Sequence, residues 1–179
     1  MIALLALSLS KRRSRPSPPP PRPPSPRPPP SPGPEPGPLG VSTFPVQGPV
    51  TWLSRYGPGP KGFHYGVDLA APLGTNVLAC VDGTVTLGMD PKGGNVAIVR
   101  SALDGVAYYY AHLLDVPAQG ELSSARPVRS GDVIGHVGMS GNAASTSPHL
   151  HFELWPSGSY EKTPPDPTPF LQTARKVKA

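Results

Sequence analysis

From Val46 onward the chain alternates short apolar stretches with clusters of Gly, Pro, Asp and Asn. The apolar stretches are too short and too rich in β-branched residues for amphipathic helices, and no window shows sustained helical periodicity with caps. They predict strands at Asn76–Val81, Thr84–Leu87, Asn95–Arg100, Ala107–His112, Asp132–Val137 and Leu150–Leu154. Turn signals separate them: Asp82-Gly83, Pro91-Lys-Gly-Gly94, Asp104-Gly105, Ser130-Gly131-Asp132 and Ser140-Gly141-Asn142. The pattern reads as an all-β domain of short antiparallel strands, a sandwich or a partly open barrel. Two stretches look alike, Leu73 to Gly83 and Val128 to Gly138, each with a turn glycine ahead of a strand that ends near another glycine. This predicts a folded-over β-hairpin motif used twice.

Composition changes the picture at the N-terminus. From Lys11 to about Pro38 the chain is almost entirely Pro, Ser and Arg, with no large apolar side chain. Such a segment cannot bury enough surface to offset its ordering entropy and is expected to be disordered or polyproline-II-like. The expected organisation is an apolar stretch at 1–10, a basic Pro-rich linker at 11–42, a folded domain at 43–171 and a basic tail at 172–179. The linker holds six of the 16 bases and one of the 11 acids, so the rest of the chain is neutral and the net charge of +5 belongs to the linker. A basic linker is suited to electrostatic contact with an anionic wall polymer or membrane surface. Nothing points to sequence-specific nucleic-acid readout.

Residues 1–10 are too short to span a bilayer and make an atypical signal sequence, because the basic cluster follows the apolar run. Cys80, the single cysteine, lies in an apolar run and reads as a small buried hydrophobe.

Candidate chemistry comes from the histidines. The chain has five, and four sit in three short phrases: His64-Tyr-Gly-Val-Asp68, Tyr110-Ala-His112 and Pro148-His149-Leu-His151-Phe-Glu153. In a strand, residues i and i+2 share a face, so His149 and His151 should enter one cleft. The same rule places His112 on the face of Tyr108 and Tyr110. His64 and Asp68, four apart around Gly66, can aim at one ion. Two His and one carboxylate suit a Zn²⁺ site with an open position, and two further His can do acid–base work beside it. The fifth, His136, reads as structural.

These residues, with Ala79-Cys-Val-Asp-Gly-Thr-Val85, Tyr109-Tyr-Ala-His-Leu113 and Val128-Arg-Ser-Gly-Asp-Val-Ile-Gly135, resemble the M23 metallopeptidases, also called LytM or lysostaphin-type zinc endopeptidases. The resemblance runs from about Phe63 to Phe170. It implies a small antiparallel β-domain of the lysostaphin type, a β-sandwich built on a duplicated motif. It implies that His64, Asp68 and His151 ligate Zn²⁺ and that His112 and His149 are catalytic, with the roles of acid and base unassigned between them. The implied substrate is the peptide part of bacterial peptidoglycan, in stem peptides or interpeptide bridges, and the implied location is secreted or in the cell envelope.

A monomer is expected. Tyr56 or Tyr65 is a candidate oxyanion donor, although packing at the groove wall is the simpler role for either. The short stretch Tyr56–Phe63 predicts an open cleft, and Arg175–Lys178 a solvated tail. Two other readings stand beside the enzyme. One is a non-catalytic LytM-like module that binds or activates other wall hydrolases. The other is a lipoyl-like carrier, for which Lys92 is the only loose attachment candidate.

Overall fold

The computed structural model describes residues 43–60, 62–114, 125–158, 160 and 162–179. The expectations for residues 1–10 and 11–42 lie outside the described residues. Among the described residues eleven strands form in chain order: β1 (Thr51–Ser54), β2 (Gly57–Gly59), β3 (Gly62–His64), β4 (Val67–Ala70), β5 (Asn76–Leu78), β6 (Gly83–Asp90), β7 (Gly94–Ser101), β8 (Ala107–Leu113), β9 (Arg126–Val128), β10 (Val133–His136) and β11 (His149–Trp155). A short helix, α1 (Thr168–Thr173), follows, and a 3₁₀ turn spans Gly141–Ala143. Seven strands make one antiparallel sheet in the order β1-β4-β11-β8-β7-β6-β9. β10 pairs with β5, and β2 with β3, in separate two-stranded ribbons.

The all-β, antiparallel expectation holds. Each of the six predicted strands is present within a few residues of its expected bounds. The helix was not foreseen; it is only six residues long and has no side-chain cap, with Pro at its first turn.

The two look-alike segments pair with one another. β5 and β10 run antiparallel, with Leu78 opposite Val133 and Asn76 opposite His136. Backbone bonds extend the match: Ala79 N–H donates to the Asp132 carbonyl, and Val137 N–H to that of Thr75. The repeat thus forms one shared ribbon, which places His136 in the small sheet.

The core follows from the alternation. Leu69, Tyr108, Tyr110, Leu150, Phe152 and Leu154 point to one face of the large sheet and pack with Phe44, Val77, Ile134 and Leu171. Burying each Leu or Phe stabilises by about 1.5–3 kcal/mol. Val96, Ala107, Tyr109, Ala111 and Trp155 cover the opposite face. β8 lies in the middle of the sheet and is buried at every position, so its near-continuous apolar run is accounted for on both faces. Cys80 is fully buried. Burial pushes its thiol pKa up to about 12, which removes it as a nucleophile at neutral pH.

The C-terminal segment differs from expectation. Its basic side chains are exposed, but its backbone is docked. Phe44 N–H donates to the Arg175 carbonyl and Gly48 N–H to that of Val177. Lys176 Nζ stands 5.6 Å from the Phe44 ring. Residues 43–48, whose backbone also bonds to Asn76, Leu78 and Cys80, gave this segment partners that composition does not reveal. Among the described residues no helix is long and apolar enough to cross a membrane.

Candidate metal centre

β11 lies between β4 and β8, and His151 stands opposite Asp68 on one side and Ala111 on the other. His149, His151, Glu153 and Trp155 alternate onto the face away from the main core, while Leu150, Phe152 and Leu154 fill that core. His64 arrives at the end of the β2–β3 ribbon, just ahead of the β4 strand that carries Asp68.

The three candidate ligands meet. His64 Nε2 is 3.2 Å from Asp68 Oδ1 and 3.1 Å from His151 Nδ1. His151 Nδ1 is 2.8 Å from Asp68 Oδ1. A tetrahedral ion with ligand distances of about 2.0–2.1 Å needs edges of roughly 3.3 Å, so this triangle fits Zn²⁺ with small adjustment. The fourth direction is reachable, since the side chains of His64, Asp68 and His151 are 24%, 17% and 14% exposed. No other such group of three ligands occurs among the described residues.

Each ring is oriented from behind. His64 Nδ1–H donates to the Arg55 carbonyl at 3.0 Å, which leaves Nε2 for the cluster. His151 turns the opposite nitrogen inward, because its Nε2–H donates to Glu153 Oε1 at 2.8 Å. His149 Nδ1–H donates to the Ser147 carbonyl at 2.8 Å, and its Nε2 lies 3.9 Å from Asp68 Oδ1. His112 Nδ1–H donates to the Ser140 carbonyl at 2.9 Å. The His112 ring centroid is 4.9 Å from that of His149 and 5.8 Å from that of His151.

His112 reaches this face by a route that alternation does not predict. Tyr108 and Tyr110 face the core, and strict alternation would send His112 after them. Instead β8 carries one extra residue between the pairs Ala97↔Tyr110 and Asn95↔Leu113. His112 takes φ 63°, so it and Ala111 point to the same face before Leu113 returns to the core. The expectation that His112 shares a face with both tyrosines is therefore corrected, while its place beside the other histidines stands. The bulge is braced: His112 N–H donates to the Gly93 carbonyl, and Lys92 accepts from Asn142 N–H. Lys92 thus belongs to a loop that supports the site. Tyr56 donates its hydroxyl to the Pro164 carbonyl at 2.8 Å and packs edge-on to Phe63, which meets Tyr65 in turn. This arrangement is wall packing.

Two contributors were not singled out from the sequence, Glu153 and Gly66. A Cβ on Gly66 would lie 2.5 Å from the Phe152 carbonyl oxygen and 2.9 Å from His151 Nε2. The signal for Gly66 was its place between His64 and Asp68; that for Glu153 was the i+2 step from His151. Gly66→Ala is expected to lower stability by about 1–3 kcal/mol through overpacking and to weaken metal binding by shifting His151. Thermal melts and metal content of the purified variant check this.

Electrostatics favour a cation. Burial opposes the ionised form of Asp68, but hydrogen bonds from His151 and His64 hold its carboxyl well below the usual carboxylate range. Burial opposes protonation of His151, but hydrogen bonds to Asp68 and Glu153 outweigh it and raise its pKa to about 9. Burial likewise opposes protonation of His64, and its bonds to Asp68 and the Arg55 carbonyl raise its pKa all the same. For His112, burial and the neighbouring His151 and His149 rings push the pKa down to about 4.

Without an ion, then, a proton on His151 neutralises the cluster. Its folded pKa lies above the unfolded value of 6.5, so its stabilisation is complete below pH 6.5 and lost as pH rises through about 9. A metal must displace that proton. Apparent affinity should therefore rise at least about tenfold per pH unit up to about pH 9, and more steeply at lower pH where His64 is protonated as well. Titration calorimetry in buffers of different ionisation enthalpy measures the proton released.

An antiparallel β-domain that gathers two His and one Asp into a metal-sized triangle, with two more His beside it, has the architecture of a metallopeptidase domain. Comparison with known proteins narrows the class. The family model described as "Peptidase family M23" matches residues 62–165, and the chain belongs to that family.

The chain is 47% identical over 92 residues to the DD-carboxypeptidase/endopeptidase Mpg of Neisseria meningitidis, covering 50% of this chain and 19% of that protein. It therefore spans about a fifth of that relative's length. Among solved structures it is similar to the catalytic domain of the antimicrobial peptidase lysostaphin from Staphylococcus simulans. That match has TM-score 0.60 and 33% identity, and covers 69% of this chain and 93% of that one. It is also similar to a zinc-containing peptidase from Vibrio cholerae, with TM-score 0.58 and 26% identity, covering 70% and 38% respectively.

Proposed function

We propose that this chain is a zinc-dependent endopeptidase that cleaves peptide bonds of bacterial peptidoglycan, in the stem peptide or the interpeptide bridge. The observation that carries the reading is the triangle of His64 Nε2, Asp68 Oδ1 and His151 Nδ1 with its edges near 3 Å. A bound zinc ion supplies Lewis acidity, lowering the pKa of a water and polarising a carbonyl. His64, Asp68 and His151 would hold it.

The rest of the work falls to the chain. His112 and His149 each tie Nδ1–H to a backbone carbonyl, so in the neutral ring the free Nε2 is the proton acceptor. One of the pair takes the proton from the attacking water, and one returns a proton to the leaving amine. An imidazolium beside the reacting carbonyl also stabilises developing negative charge. A non-catalytic wall-binding module has no need of this complete set.

The substrate places the protein outside the cytoplasm, secreted or in the cell envelope. Support for the substrate comes from the M23 membership and from the relative named as a DD-carboxypeptidase/endopeptidase. The test is digestion of purified peptidoglycans, directly cross-linked and glycine-bridged, by the zinc-loaded protein, with mass analysis of the fragments. New amino termini at one bond type identify the specificity. Intact peptidoglycan of both kinds, with zinc bound, would reject the endopeptidase reading.

A further inference from the structure

We propose that Glu153 is a positioning residue for the metal centre, holding His151 with Nδ1 turned toward the ion. The inference rests on the metal-centre reading above. Its basis is the way the two histidine ligands are supported. His64 is braced by the carbonyl of Arg55, a backbone group that no substitution removes. His151 is braced by a side chain: Glu153 Oε1 accepts its Nε2–H at 2.8 Å. That bond selects the tautomer whose lone pair lies on Nδ1, the nitrogen in the triangle, and makes the ring a stronger donor.

The carboxylate is itself fixed. Its second oxygen, Oε2, accepts the indole N–H of Trp155 at 2.8 Å. Trp155 is buried and stacks on Tyr109, with ring centroids 4.7 Å apart. Tyr109 stands opposite Glu153 in the strand pairing. Glu153, His151 and Trp155 lie at i+2 steps on one strand, so the pleat alone lines up indole, carboxylate and imidazole.

Charge gives a second reason. The Glu153 side chain is only 12% exposed, and a carboxylate taken so far from water needs a compensating charge. With a divalent ion in the triangle, the charges of Asp68 and Glu153 together balance it. The imidazole is the bridge through which Glu153 contributes.

The two-donor, two-oxygen match makes the proposal testable by a readout other than activity. Zinc affinity is measured by competition with a chromophoric chelator for the wild type, Glu153→Ala, Glu153→Gln, Trp155→Phe and the double variant Glu153→Gln/Trp155→Phe. Glu153→Ala should bind zinc about 10–100-fold more weakly. Glutamine has one oxygen for two donors, so Glu153→Gln should also weaken binding. Removing the competing indole frees that oxygen for His151, so the double variant should regain much of the affinity lost in Glu153→Gln. Trp155→Phe alone, which unties Oε2 but leaves Oε1 on His151, should weaken binding less than Glu153→Ala does.

Should Glu153→Ala fail to fold, the isosteric glutamine pair carries the test. Equal affinity of all variants, with wild-type zinc binding intact, overturns the role of Glu153 alone. So does a glutamine variant that Trp155→Phe does not rescue. A wild type that binds no zinc overturns the metal centre itself, and this proposal with it.

Discussion

His151→Ala is expected to purify without zinc and to leave peptidoglycan uncut, a loss on the order of 10⁶-fold or more relative to the zinc-loaded wild type. The size of the effect follows from how many contacts one ring makes. His151 supplies one corner of the triangle, holds Asp68 at 2.8 Å, and bonds Glu153 at 2.8 Å. Its removal leaves two candidate ligands and strips both carboxylates of a partner. Metal analysis, melting curves and fragment release together separate loss of metal from loss of fold. Full activity in a folded, zinc-free His151→Ala protein would falsify the metal assignment. Chelation of the wild type should reproduce the inactivity, and added zinc should restore it.

Replacement of His112 should leave the metal in place and remove the proton transfer. A rate loss of about 10²–10⁴-fold is expected, which is the usual range for one acid–base group. The choice of variant matters because His112 sits at φ 63°. Asparagine tolerates that backbone well, whereas alanine adds a conformational cost of about 1–2 kcal/mol. His112→Asn should therefore keep the melting temperature and zinc content of the wild type while losing activity. His112→Ala should lose both activity and some stability. If His112→Asn turns over at the wild-type rate, the catalytic role is wrong.

The strands legible in the sequence were those whose own residues favour β structure, such as Asn95–Arg100 and Leu150–Leu154. Five strands among the described residues were missed. Thr51–Ser54 and Val67–Ala70 have apolar residues of their own but are only four residues long, too short to show a period, and Gly62–His64 is shorter still. The two others have the opposite character. Gly57–Gly59 and Arg126–Val128 have proline at the centre, and they are strands only because a neighbour pairs with them. Tertiary context made those elements, and no local propensity announces it. Helix α1 was missed for a related reason: its one buried residue, Leu171, gives no periodicity to read.

The candidate site was more legible than the fold around it. His149 and His151 were paired correctly by the two-residue period, and their joint approach to Asp68 needed only that rule. His112 was brought to the right neighbours on a wrong assumption about its strand. Alternation assumes an unbroken pleat, and an inserted residue violates it without changing any residue type. Glu153 was in view within the same phrase, but a lone acid on a strand reads as solvated until its two donors are seen.

The inserted residue in β8 has a further implication for how this domain tolerates change. The way residue 112 is held on the histidine face depends on the extra residue beside it in the strand. Deleting Ala111 would remove the insertion and leave an unbroken pleat, with His112 still on the histidine face and Leu113 still in the core, but with residue 112 drawn out of its φ of 63°. The position of the ring at this strand is thus set by residue count as well as by residue type. Scanning by substitution would pass over that, whereas a single-codon deletion would expose it.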